Sequence, residues 1–170
     1  TLEIQGRTLS FATAGKGGDG RMALERMWSG VAALIRNCPT LTTIHLSTNR
    51  SVLTNEIWDA IRRNTNTRAL QLSNIKIDWR QAIDFWRVCT ALERLEMDTC
   101  FFEIPIDFRD SLSELSDTFP RIRELKFNDL RIHPHYQYEL ITRCPELRSL
   151  SWRGKRARPF PMQELHVSIS

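Results

Sequence analysis

The stretch Cys89-Thr-Ala-Leu92-Glu-Arg-Leu95-Glu-Met97-Asp-Thr-Cys100 decides the fold. Its apolar residues Leu92, Leu95 and Met97 set a frame, apolar-x-x-apolar-x-apolar, whose last two members alternate as a half-buried strand requires. The frame recurs at Leu41–Ile44–Leu46, Ile122–Leu125–Phe127 and Leu147–Leu150–Trp152, and at Leu70–Leu72 with Thr67 in first place. Successive last anchors stand 26, 25, 30 and 25 residues apart. A second register coincides with the first. Six residues before each central anchor stand Cys38, Asn64, Cys89, Phe119 and Cys144, and Pro39, Pro120 and Pro145 follow three of them. Two coincident registers mark an internal repeat.

Between the strands the apolar period lengthens from 2 to about 3.6, which predicts a strand–helix unit. Leu24, Met27, Trp28, Val31, Leu34 and Ile35 form one helical stripe, and Leu53, Ile57 and Ile61 the next. Trp79, Ala82, Ile83 and Trp86 follow, then Leu112, Leu115 and Phe119, and a short stripe of Tyr136, Leu140 and Ile141. Asp78 with Gln81, Ser111 with Glu114, and Pro134 are start signals. The Cys-Pro and Phe-Pro pairs are stops, because proline disfavours helix in the residue before it. The expected architecture is α/β: a right-handed solenoid with parallel strands on its concave face and helices on its convex face. The whole chain 1–170 reads as one array. An irregular first unit covers 1–37, repeats cover about 38–63, 64–88, 89–118, 119–143 and 144–158, and a terminal strand falls within 159–170. Leu9 with Phe11, or Leu2 with Ile4, supplies a first strand, and Met162–Leu165–Val167 the last.

The segments beginning at Cys38, Cys89 and Cys144 resemble the cysteine-containing subfamily of leucine-rich repeats, best known from F-box proteins. The resemblance spans roughly residues 20–155. Asn64 and Thr67 depart from it, and only Asn49 and Cys100 occupy its Asn/Cys position after the strand. It implies the substrate-recognition region of a ubiquitin-ligase receptor, with ligase core subunits bound through a region outside this chain.

Composition excludes other classes. The 170 residues carry a formal charge of +4 and are 41% hydrophobic, too apolar and too balanced for a disordered tail. The longest apolar run is Val31 to Ile35, far short of the roughly 20 residues of a spanning helix. No signal pattern opens the chain, and the missing initiator Met suggests a piece of a longer protein. Of 24 basic residues 20 are Arg, and Arg36, Arg62, Arg63, Arg87 and Arg143 fall near expected helix C-termini, where cations favour the dipole.

Cys38, Cys89 and Cys144 share one repeat position, a poor geometry for disulfides, and no C-x-x-C suggests a metal. Reduced thiols point to a cytoplasmic or nuclear setting. His133-Pro-His135 reads as a solvated loop, and Asn49-Arg50-Ser51 is a formal glycosylation triplet that no signal sequence supports. Gly15-Lys-Gly-Gly-Asp-Gly20-Arg21-Met22 resembles the glycine-rich phosphate loop of ParA/MinD-type ATPases. Arg21 and Met22 stand where that loop needs a Lys and a magnesium-binding hydroxyl, so the stretch reads as a loop before a helix. No Ser-His-Asp, Cys-His or paired-carboxylate arrangement suggests catalysis. The chain is therefore expected to be a non-enzymatic module without cofactor or metal.

Residues between the apolar anchors face away from the core and form three columns. The first is Thr43, Ala69, Arg94, Glu124 and Ser149; the second is His45, Gln71, Glu96, Lys126 and Ser151; the third is Ser47, Ser73, Asp98, Asn128 and Arg153. This mixed-charge face is the expected docking surface for a protein partner, on a monomeric array with no membrane contact. Reversing Glu96 and Asp98 together is expected to weaken binding with little loss of stability. The long unit after Met97 adds Phe101, Phe102, Ile104, Pro105, Ile106 and Phe108, read as extra core with an interaction patch as the alternative. A basic run at Arg153, Lys155, Arg156 and Arg158 reads as a solvated loop, with a phosphate contact or nuclear import as alternatives.

Overall fold

The computed structural model describes residues 2–13, 21–103, 119–132, 140–154 and 164–168. The glycine loop at 15–20, the stripe at Leu112 and Leu115, the stretch Ile104 to Phe108, His133 and His135, Pro134, Tyr136 and the basic residues 155–158 lie outside the described residues.

Alternation of apolar and polar residues makes strands of one face each, and the described residues form nine. They are β1 (Leu2–Gln5), β2 (Thr8–Ala12), β3 (Thr43–Val52), β4 (Ala69–Asp78), β5 (Arg94–Asp98), β6 (Phe101–Glu103), β7 (Glu124–Asn128), β8 (Ser149–Arg153) and β9 (Glu164–Ser168). Their sheet order is β1-β2-β3-β4-β5-β7-β8-β9, with β6 beside β4. Pairing is parallel from β2 through β8, and β6 is parallel to β4. Both ends differ from the all-parallel expectation. Leu2–Gln5 and Thr8–Ala12 are both strands and fold back on each other antiparallel, and β9 returns antiparallel along β8. Gly6, at φ 57°, makes the first of these reversals possible.

Helices α1 (Arg21–Asn37), α2 (Asn55–Arg63) and α3 (Trp79–Cys89) alternate with the strands and lie side by side in chain order. One core joins them to the strand face that carries Leu9, Ile44, Leu70, Leu95, Leu125 and Leu150. Parallel sheets covered on both faces read as continuous apolar runs; here alternation persists because, among the described residues, the helices pack against one face. Trp58, Phe85 and Phe102 pack edge to face at 5.7 and 5.4 Å, and Trp86 stacks on Phe119 at 5.5 Å. Phe85 and Trp58, outside the predicted stripes, are among the largest buried side chains. Leu53 is buried yet precedes α2, so its stripe begins in the connection.

Each unit opens with the same local geometry. The amides of Leu41, Thr67, Leu92, Ile122 and Leu147 donate to the carbonyls of Cys38, Asn64, Cys89, Phe119 and Cys144 at 3.1–3.3 Å. One carbonyl per unit then accepts two amides of the next: Arg7 O from Thr42 and Thr43, Thr42 O from Arg68 and Ala69, Arg68 O from Glu93 and Arg94. Glu93 O and Arg123 O continue the series with Arg123 and Glu124, then Arg148 and Ser149. Asn64 makes its departure from cysteine useful. Its buried amide donates to Ile35 O at 3.2 Å and Cys38 O at 3.1 Å, tying its own unit to the end of α1.

Asp78 caps α3, its carboxylate accepting from the Gln81 amide at 3.0 Å. The Gln81 side chain does not close a reciprocal box; it donates to Leu53 O and to Asn55 Oδ1, linking the start of α2 to α3.

Candidate functional site

The sheet face opposite the helices carries the three predicted columns in register. His45 lies beside Gln71, Gln71 beside Glu96, Glu96 beside Lys126 and Lys126 beside Ser151. The neighbours Thr43, Ala69, Arg94, Glu124 and Ser149 align in the same way, as do Ser47, Ser73, Asp98, Asn128 and Arg153. Strand spacing of about 4.8 Å brings side chains of adjacent strands within hydrogen-bonding reach along each column.

The columns are chemically uneven. Thr43, His45, Ser47 and Ser73 present half-buried polar groups at the β3–β4 end, free of carboxylates, lysine and arginine. The centre is organised around Glu96, whose side chain is only 17% exposed. One carboxylate oxygen meets Lys126 Nζ at 3.0 Å; the other accepts from Gln71 Nε2 at 3.0 Å and pairs with Arg94 at 3.3 Å. Arg94 Nε also lies 3.5 Å from Glu124, an ion-pair distance without hydrogen-bond geometry. Burial works to raise the Glu96 pKa, and the hydrogen bonds from Lys126 and Gln71 with the charges of Lys126 and Arg94 outweigh it, holding the carboxyl below its ordinary range.

This network bears on the expectation that reversing Glu96 with Asp98 costs little stability, because three neighbouring side chains hold the Glu96 carboxylate. Reversing its charge would gather three cations, Arg94, Lys126 and the new lysine, around a site built for one anion. Asp98 is more loosely held, accepting from the Thr99 hydroxyl at 3.2 Å.

Thiol chemistry is absent from this face. All four cysteines are free, and burial pushes Cys100 and Cys144 up to about 12 and Cys89 well above its ordinary value. Cys100 Sγ donates to Leu72 O at 3.4 Å, and Cys144 Sγ to Leu140 O at 3.2 Å. Among the described residues no group of His, Cys, Asp or Glu is arranged to hold a metal, and no helix is long and apolar enough to cross a membrane.

The arginines near helix ends are largely spent within their helices. Arg62 and Arg63 converge on Asp59 at 2.8 and 2.9 Å, and Arg87 lies 3.7 Å from Asp84. The hydrogen bond from Arg62 leads the effects that lower the Asp59 pKa.

The extra aromatic pair after Met97 divides between two environments. Phe102 packs into the core against Phe85, whereas Phe101 lies under two guanidiniums, Arg50 at 5.2 Å and Arg131 at 4.7 Å from its ring centre. The repeat frame does not foretell this cluster, because Arg50 and Arg131 occupy no shared column. Comparison with protein-family models, curated proteins and solved structures returns no match.

Proposed function

We propose that the chain is a leucine-rich-repeat solenoid of the cysteine-containing subfamily whose concave sheet face binds another protein. The observation that carries this reading is the open face itself: three columns of polar side chains in register across β3, β4, β5, β7 and β8, backed by one continuous core. The repeated turns and shared carbonyls at each strand start support the solenoid. A rigid mixed-charge surface selects a partner by complementarity, with its polar end and charged centre contacting different parts of one target.

The module acts by positioning, without catalysis, cofactor or metal. Its place is the substrate-recognition region of an F-box-like receptor in the cytoplasm or nucleus, holding a target near a transferase supplied by other subunits. A repeat scaffold unrelated to ubiquitin is the second reading. Nucleic-acid contact through the C-terminal basic run at 153–158 is the least supported, since 20 acidic residues nearly balance the 24 basic ones.

The test is affinity capture with the full-length protein, followed by the double variant Ser73→Arg with Asp98→Lys, which avoids the Glu96 network. Loss of the captured partner with an unchanged thermal midpoint supports the concave-face reading; unchanged capture by the folded variant overturns it. Co-purification of cullin-type ligase subunits favours the receptor over the scaffold.

A further inference from the structure

Beyond the last residue of β5 the sheet continues as a second short row. Val52 of β3 lies beside Lys76 of β4, Lys76 beside Phe101 of β6, and Phe101 is bridged to Arg131. Reaching this row requires a local irregularity in β3, whose register with β4 shifts between Ser47 and Ser51. Buried Thr48 pins the bulge, donating to Asn74 O at 2.7 Å and accepting from the Ser51 amide at 3.1 Å. Bulges of this kind re-aim a side chain. The one re-aimed here is Arg50, in the left-handed region at φ 58°, a conformation disfavoured for a side chain bearing a Cβ.

The consequence is two exposed guanidiniums on one half-buried aromatic ring. Each is attracted by the π electrons of the ring, which orients it. Neither has a carboxylate partner among the described residues, while the neighbouring cation Lys76 is already neutralised by Glu103 at 2.7 Å. The donors of two planar forks therefore remain open to an acceptor. We propose that Arg50, Phe101 and Arg131 form a recognition site for a phosphate monoester on a phosphorylated segment of a partner protein.

A carboxylate offers two oxygens and is satisfied by one fork; a phosphate monoester offers three oxygens and up to two charges, enough for both. Asp98, Glu103 and Asp129 lie within three residues of Phe101 or Arg131 in sequence. These acids disfavour a polyanion and tolerate a single phosphate. The site continues the third column, so a protein lying along the open face reaches it; to that extent the inference rests on the proposed function.

The experiment is a titration of the isotopically labelled full chain, followed by backbone amide shifts. The probe is a blocked pentapeptide with one phosphoserine flanked by glycines, with the unphosphorylated peptide and a random single-stranded oligonucleotide as comparisons. Saturable shifts at Arg50, Phe101 and Arg131 with the phosphopeptide alone are expected. Arg50→Gln and Arg131→Gln each weaken binding roughly tenfold, as loss of a charged hydrogen-bonding group predicts, with the thermal midpoint unchanged. Phe101→Leu, which keeps both charges but removes the ring, weakens it less. Absence of saturable shifts at the rim, equal response to the unphosphorylated peptide, or undiminished binding by the double glutamine variant overturns the proposal. Tighter binding of the oligonucleotide at the same residues also overturns it, in favour of a nucleic-acid ligand. A rim that fails to titrate while the Ser73/Asp98 variant still loses its captured partner sinks this inference and leaves the concave-face reading standing.

Discussion

The two rims of the sheet behave differently. At the N-terminal ends of the strands, every unit repeats one turn and one doubly bonded carbonyl, from Cys38 to Cys144 and from Arg7 to Arg123. At the C-terminal ends, each unit departs in its own way. β3 bulges, β4 runs on to Asp78, β5 stops at Asp98 to be followed by β6, and β7 is followed by a bridge at Arg131. Backbone stacking needs identical geometry wherever one unit hands over to the next, so the N-terminal rim is uniform. No such demand falls on the strand exits, and individual chemistry collects there. Even so, a common element survives: Asn74, Thr99 and Asp129 directly follow their strands' third-column residues in left-handed backbone, at φ 55°, 52° and 48°.

The contrast can be broken most severely at the regular half. Leu95→Ala, at a fully buried anchor, is expected to cost about 3 kcal/mol and to lower the denaturant midpoint at constant slope. Asn64→Ala removes the donor from Ile35 O and Cys38 O and should cost about 2 kcal/mol in the same assay.

The open face should respond less, and through charge. Glu96→Lys is expected to cost about 1–1.5 kcal/mol by leaving Arg94 and Lys126 without their shared anion. The pH dependence follows from the lowered Glu96 pKa. A carboxylate whose folded pKa lies below its unfolded value of 4.5 contributes stability above that value and loses it as pH falls through the folded pKa. Thermal melts should therefore show the gap between the native chain and Glu96→Gln narrowing as pH drops below 4.5.

At the irregular rim a substitution should help. Thr99 is a β-branched residue at positive φ, where asparagine is better tolerated, so Thr99→Asn should stabilise by about 0.5–1 kcal/mol, read as a raised midpoint. The smallest effect belongs to neither rim. Arg63→Ala, on an exposed helix end whose partner Asp59 keeps Arg62, should stay within about 0.5 kcal/mol.

Much of this protein is legible from residue order. A strand residue's side follows from parity, so buried and open faces, and the three columns, are legible in the sequence. Among the described residues the three helices lie within a turn of their stripes, with the Asp78 cap where its side-chain chemistry places it. Leu53 lies outside α2 although its spacing fits the stripe, because an apolar residue in a connection has the same pattern as the first turn of the next helix. Trp58 and Phe85 escaped the stripes because the buried sector of these helices is wider than a narrow periodic count allows.

Other features had no local signal. Antiparallel closure at β1 and β9 depends on which edge a short apolar strand meets, and the strand pattern is the same for either direction. Glu96 reads as a solvated acid until Gln71, 25 residues away, and Lys126, 30 residues away, arrive beside it. Arg50 belongs to the Phe101 cluster only through a one-strand bulge and a pairing that spans β4. Period and parity are properties of consecutive residues and survive in the sequence alone. Ion-pair partners, strand direction at the edges and convergence of distant side chains depend on how units stack in space, and there the tertiary structure decided.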